Sequence, residues 1–110
     1  QPDETADILL GIRKVIKEIQ ARLADAKIIV FSVFPRKNPT EYGRVKALNK
    51  ELPKVADNRQ IFHEDINEVF LDQSGQISKN LYLRDGLHLT EKGYAEWGKA
   101  LLPILKKYGL

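Results

Sequence analysis

The sequence predicts an α/β chain in which helices alternate with parallel strands, and three observations carry that prediction. An amphipathic helical period opens the chain, a continuous β-branched and aromatic run follows it, and the order helix, strand, helix, strand, helix then holds to the end. Right-handed crossovers on a parallel sheet produce that order. Two parallel strands are too few for a sheet that stands alone. About two strands and three helices therefore read as a section of a larger doubly wound domain.

Each element has its own warrant. Ile8, Ile12, Val15, Ile16, Ile19 and Leu23 fall within an arc of ~100°, the apolar stripe of a helix over about residues 5–24. Asp3, Glu4, Thr5 and Asp7 supply caps and negative charge where the helix dipole favours them. The run Lys27–Phe34, closed by Pro35, is too short for a helix and too continuous for a one-sided strand, so it reads as a buried parallel strand. Asn38-Pro39-Thr40-Glu41 then offers an N-cap, a proline at the first helical position and an acid at the third. The helix it starts has Tyr42, Val45, Leu48 and Leu52 as its apolar face, and Pro53 ends or kinks it.

A weaker strand is expected around Gln60–His63. An irregular stretch from about Asp65 to Arg84 follows, with the turn signal Asp72-Gln73-Ser74-Gly75. The last helix starts near Thr90, with a face of Tyr94, Trp97, Leu101, Ile104 or Leu105, and Tyr108. Lys106 and Lys107 suit its last turn, Gly109 is a candidate C-cap, and Pro103 should bend it.

Composition narrows the function classes. At 110 residues, 43% hydrophobic and 30% charged, the chain can build a core and is not a disordered tail. The net charge of +3 is uneven: residues 1–59 hold 12 Lys and Arg against 8 Asp and Glu, and residues 60–110 hold 6 against 7. Arg13, Lys14 and Lys17 fall on the polar side of the first helix, where charges are ordinarily solvated, and no aromatic and basic cluster suits nucleic acid. The longest apolar run is far below the ~20 residues a membrane span needs. Zero cysteines excludes disulfides, thiolate metal sites and a cysteine nucleophile. It leaves localisation open between cytoplasm and a secreted or periplasmic destination. The chain begins at Gln1, without methionine or an apolar signal segment, which fits a piece of a longer product.

The segment that carries chemistry is Asp85-Gly86-Leu87-His88-Leu89-Thr90-Glu91-Lys92-Gly93-Tyr94. It resembles the last block of the SGNH/GDSL-type serine hydrolases, a family that includes platelet-activating-factor acetylhydrolase-like and acetylesterase-like enzymes. The resemblance extends, more loosely, over the whole chain, through the strand ending Phe34-Pro35-Arg36, the helix with Lys46-Ala47-Leu48-Asn49 and the second strand. It implies a three-layer α/β/α flavodoxin-like fold, of which residues 1–110 are the C-terminal section of a single hydrolase domain. It also implies that His88 is the base of a Ser-His-Asp triad and Asp85 its partner. An unperturbed imidazole, pKa ~6.5, can take a serine proton near neutral pH, and a carboxylate on its other nitrogen fixes the tautomer. A second reading of the same residues stays open: Asp-Gly between alternating apolar residues is also a hairpin signal, which would make His88 a strand residue.

The family's nucleophile lies in an N-terminal Gly-Asp-Ser block, with oxyanion donors in two further blocks, and none of these occurs here. Ser32, Ser74 and Ser78 lack that context, so no nucleophile is assigned in this chain. Arg36 follows a strand end, where α/β sites gather, and two readings of it stay open, a residue that lines a substrate pocket and a solvated or structural arginine. His63, Glu64 and Asp65 are consecutive and point different ways along a strand, so no metal site is assigned to them and no cofactor is expected. Trp97 is read as core. The resulting expectation is serine-dependent hydrolysis of a small ester, with no metal, this chain being inactive alone. It would associate with the N-terminal section of the same protein or with copies of itself. The alternative is a non-catalytic α/β interaction module, and a Gly-Asp-Ser segment upstream in the gene would discriminate the two.

Overall fold

The computed structural model describes residues 4–110, and among them the predicted order is present. Helix α1 spans Glu4–Arg22, strand β1 Ile28–Phe31, helix α2 Pro39–Glu51, strand β2 Ile61–Glu64 and helix α3 Glu91–Lys107. Three short 3-10 turns, Leu52–Val55, Asn67–Phe70 and Lys79–Leu81, fill the connections. β1 and β2 pair in parallel, with Ile28 opposite Ile61 and Phe31 opposite Glu64. The cap expected at Asp3 lies outside the described residues. No described helix is long and apolar enough to cross a membrane. The chain divides into two compact units, one joining the chain up to Val33 with Arg44–Glu64 and the other joining Phe34–Gly43 with Asp65–Leu110.

In the first unit Ile16, Val45, Leu48, Leu52 and Val55 are buried. The spacing 45, 48, 52, 55 is helical, so the apolar face of α2 runs on past Pro53 into the 3-10 turn although the α-helix itself ends at Glu51. Leu52, almost wholly buried, contributes about 1.5–3 kcal/mol by leaving water. At the other end of α2, Asn38 Oδ1 accepts the Glu41 N–H at 3.0 Å, the cap its sequence predicts. A second turn of this kind precedes β2: Asp57 Oδ1 accepts the N–H groups of Arg59, Gln60 and Ile61 at 2.9, 3.0 and 2.9 Å.

The stripe of α1 is largely uncovered: Ile16 is buried, but Val15 and Leu23 are 59% and 61% exposed, because the described residues lay no element over that part of the helix. One expectation for this unit needs correction. The first strand stops at Phe31, and its four residues are half-buried rather than enclosed. Among the described residues the sheet is two-stranded, and β1 has no second neighbour. Val33 bonds instead to the side chain of Asn49, and Pro35 has no N–H to continue a ladder.

The second unit is built on aromatic packing. Phe70 is fully enclosed; its ring centroid lies 4.5 Å from that of Phe34 and 6.3 Å from that of Tyr82. Trp97 meets Phe34 edge-on at 5.4 Å, a geometry the ring quadrupoles favour. Tyr94, expected on the same buried face, is exposed, its ring 6.2 Å from Trp97. One helical turn before Trp97, it sits at the rim of this face, where its hydroxyl can stay wet. Helix α3 starts where Thr90 Oγ1 accepts the Gly93 N–H at 3.1 Å and donates to the Asn80 carbonyl at 2.8 Å. Gly93 is buried against the Leu81 carbonyl with no room for a Cβ, which lets α3 lie directly on the Lys79–Leu81 turn. Pro103 removes one backbone bond without ending the helix. The helix closes as predicted at Gly109: Gly109 N–H bonds Lys106 O at 3.0 Å and Leu110 N–H bonds Leu105 O at 2.7 Å, the double bond of a Schellman cap.

Candidate active site

The loop that carries Asp85 and His88 begins and ends in a short antiparallel stem. Tyr82 and Leu89 form an isolated bridge, Thr90 N–H bonds Leu81 O at 2.9 Å, and Leu83 N–H bonds His88 O at 2.8 Å. The hairpin signal is thus realised in the stem only. Between the stem positions no strand runs through Asp85 and Gly86, and the His88 side chain is 66% exposed.

Inside the loop one carboxylate does two things. Asp85 Oδ1 accepts the N–H groups of Leu87 at 2.9 Å and His88 at 3.0 Å, so the chain folds back over its own side chain. Asp85 Oδ2 meets His88 Nδ1 at 2.5 Å. The His88 side-chain bond, followed by the backbone N–H groups of His88 and Leu87, holds the Asp85 carboxyl down at about 2. The carboxylate is therefore ionised at neutral pH and has only acceptors to offer. The proton in the Asp85–His88 contact belongs to Nδ1, and in a neutral ring Nε2 carries the lone pair. Nε2 has no hydrogen-bond partner among the described residues.

Gly86 makes the fold-back possible. Its φ of +65° lies in the left-handed region, and a Cβ at this position would drive into the Lys37 side chain. The close approach comes from a strap: Lys37 N–H bonds Gly86 O at 2.9 Å, and the Tyr82 hydroxyl donates to Pro35 O at 2.5 Å. Burial pushes the Tyr82 phenol up to about 12, against the opposing charge of Arg36. It thus stays a donor across the physiological range. Segment 35–37 is tied to the loop at both ends, with Arg36 between the two ties.

The structure thus joins His88 to Asp85 and puts Arg36 on the strap beside them. Arg36 is half-buried and makes no hydrogen bond or ion pair among the described residues. The remaining residues singled out by sequence go elsewhere: Ser32 is buried and its Oγ lies 3.0 Å from His63 Nε2, Ser74 donates to Asp72, and Asp65 accepts the Asn67 N–H. Sequence reasoning missed Tyr82, Pro35 and Lys37. The tyrosine and the proline are 47 residues apart, and no local pattern links them.

An α/β chain with two parallel strands and an exposed, carboxylate-held histidine before its last helix defines the class, and comparison with known proteins supplies the family. The chain belongs to the GDSL-like lipase/acylhydrolase family, whose profile matches residues 1–96. Among curated proteins it is 38% identical over 101 residues to the platelet-activating factor acetylhydrolase IB subunit alpha2 of Rattus norvegicus, and 36% identical to that of Homo sapiens. Each match covers 86% of this chain and 42% of the relative, so the chain spans about two-fifths of the length of the curated relatives it matches. Among solved structures, a protein from Streptococcus pneumonia described as a platelet activating factor superposes with a TM-score of 0.79 at 23% identity, over 96% of this chain and 51% of that one. The esterase domain of the ORF1 protein of the zebrafish ZfL2-1 retrotransposon superposes with a TM-score of 0.77 at 18% identity, over 94% of this chain and 63% of that one. These two share the fold, the α/β class that the order of elements predicts.

Proposed function

We propose that residues 1–110 are the C-terminal section of a single hydrolase domain that cleaves small esters through a serine triad, with His88 as general base and Asp85 as its partner. The observation that carries this reading is the Asp85 Oδ2–His88 Nδ1 bond in an exposed loop. The nucleophilic serine comes from an N-terminal section of the same protein. His88 Nε2 takes the proton from the serine Oγ as Oγ bonds to the acyl carbon, and the imidazolium formed is stabilised by Asp85. Collapse of the tetrahedral intermediate expels the alkoxide, which receives that proton from His88. Water, deprotonated by His88 in turn, then releases the acid and frees the serine. Arg36 lines the substrate pocket from the strap. The acetylhydrolase names of the relatives favour an acetyl ester. Triad members act as a unit, so residues 1–110 alone should turn over negligible ester.

The test is covalent labelling with a serine-directed fluorophosphonate, together with an acetate-ester assay. The full-length gene product should be labelled at a serine outside residues 1–110 and should hydrolyse the ester. Residues 1–110 alone should do neither. Labelling of Ser32, Ser74 or Ser78, or a full-length product with no esterase activity, would overturn the reading and favour the interaction module.

A further inference from the structure

The Asp85–His88 bond joins residues three apart, so the loop can form the pair by itself; what it cannot set by itself is where the pair stands. The loop has little apolar burial to hold it. Leu83 and Leu87 are exposed, as are Arg84, Asp85 and His88. Its placement falls to polar ties, and two reach it from segment 35–37. Lys37 N–H bonds Gly86 O at the tip, at 2.9 Å, and the Tyr82 hydroxyl donates to Pro35 O at the stem, at 2.5 Å. The second tie is anchored in packed protein. Tyr82 and Pro35 are both buried, and the Tyr82 ring stands edge-on to the enclosed Phe70, with 75° between the ring planes. A phenylalanine would make the same ring contact. The hydroxyl has one hydrogen-bond partner among the described residues, the Pro35 carbonyl, and a buried carbonyl that loses its donor is destabilising. Burial keeps the phenol protonated, so the tie holds across the physiological pH range.

We propose that Tyr82 is a positioning residue for the Asp85–His88 pair: its hydroxyl holds the strap against the stem, and the strap holds the loop that carries the pair. The bond inside the pair does not depend on it. The line of contacts runs from Phe70 through Tyr82 and Pro35 to Lys37 and Gly86, and Gly86, with no Cβ, lies directly against the Lys37 side chain. With His88 as general base, Nε2 must meet a serine that another section of the protein supplies. That meeting tolerates little error, since a misplacement of ~1 Å can cost on the order of 10²-fold in rate. The kinetic consequence rests on the esterase reading; the mechanics rest on the two ties.

Kinetics and residue-resolved amide hydrogen exchange on the full-length gene product test this. Tyr82→Phe should lower kcat for an acetate ester on the order of 10-fold, with KM within about threefold. Para-aminophenylalanine at position 82, which restores a donor, should recover most of the loss. Val55→Ala, a destabilisation of similar size taken from the first unit, should leave kcat within about threefold. In Tyr82→Phe the Lys37 amide should exchange on the order of 10-fold faster, while the amides of Leu87 and His88, held by Asp85 Oδ1, keep their rates. An unchanged kcat would overturn the inference, as would an equal loss in Val55→Ala, or a rise in KM alone, which would assign the tie to Arg36. Fast exchange at Leu87 and His88, or a Tyr82→Phe protein that fails to fold, would make the hydroxyl a support of the pair or of the whole fold, and would overturn it too. Exchange is indifferent to turnover: an inactive full-length product that shows this pattern of amides would sink the esterase reading and leave the tether standing.

Discussion

Two turns in this protein are built on the same local plan and put to different ends. In each, an aspartate is followed by a residue in the left-handed region, Asn58 at φ 59° and Gly86 at φ 65°. In each, the aspartate Oδ1 accepts the N–H groups two and three residues on. Both carboxyls are held down at about 2, Asp57 first by the Ile61 backbone N–H and Asp85 first by the His88 side chain. The turns part at the third residue after the aspartate. Gln60 sends its amide away to the Ala24 carbonyl at 2.7 Å and anchors the entry to β2. His88 brings its ring back to the second oxygen of the aspartate that caps its own backbone. The turn supplies a fixed, ionised carboxylate in both places. Whether it becomes the anchor of a strand or the hold on a histidine ring is decided by one side chain.

The largest expected effect comes from making the second turn resemble the first. His88→Gln in the full-length product should lower kcat for an acetate ester by on the order of 10³-fold or more, while Gln60→His leaves kcat within about threefold. Near-normal turnover in the His88→Gln protein would remove His88 from the chemistry. Next in size is the left-handed position. Gly86→Asn should destabilise by about 1–3 kcal/mol in a denaturant titration, because its Cβ meets Lys37, whereas Asn58→Gly should change stability by under about 1 kcal/mol. Equal effects at the two sites would mean that the strap does not constrain the loop.

The smallest effect is a pH signature. A carboxyl whose folded value lies below its unfolded value of ~3.9 stabilises the fold above that value, and the contribution is lost as pH falls toward the folded value. For both aspartates the loss should run from about pH 4 down to about 2. In the His88→Gln protein the Asp85 midpoint, read by carboxyl carbon NMR, should rise toward the ordinary value, while Asp57 stays where it was. An unmoved Asp85 midpoint would show that its backbone bonds alone hold it down.

The local features of the fold were legible in the sequence because their causes are local. Asn38 caps Glu41 three residues on, Thr90 caps Gly93 at the same spacing, and Gly109 closes α3. The Asp85–His88 pair was legible for the same reason, as a contact between residues three apart. The hairpin alternative was not resolved by the sequence because the stem and the loop share one pattern of apolar residues and an Asp-Gly step. The stripe of α1 predicted a helix, and which of its residues are covered is set by packing: Ile16 is buried, and Val15 and Leu23 are exposed.

What the sequence determined by itself, then, is where helices and turns start and stop, and that an aspartate and a histidine share one loop before the last helix. Short-range hydrogen bonds and side-chain periodicity suffice for that, since the chain brings those groups together at little entropic cost. What only the tertiary structure decided is which distant groups close the site and the sheet. Asn49 reaches Val33 across 16 residues, His63 reaches Ser32 across 31, and Tyr82 reaches Pro35 across 47. Each bond satisfies a polar group that packing has taken from water. Which partner satisfies it depends on where the whole fold brings the two segments, and no local period records that.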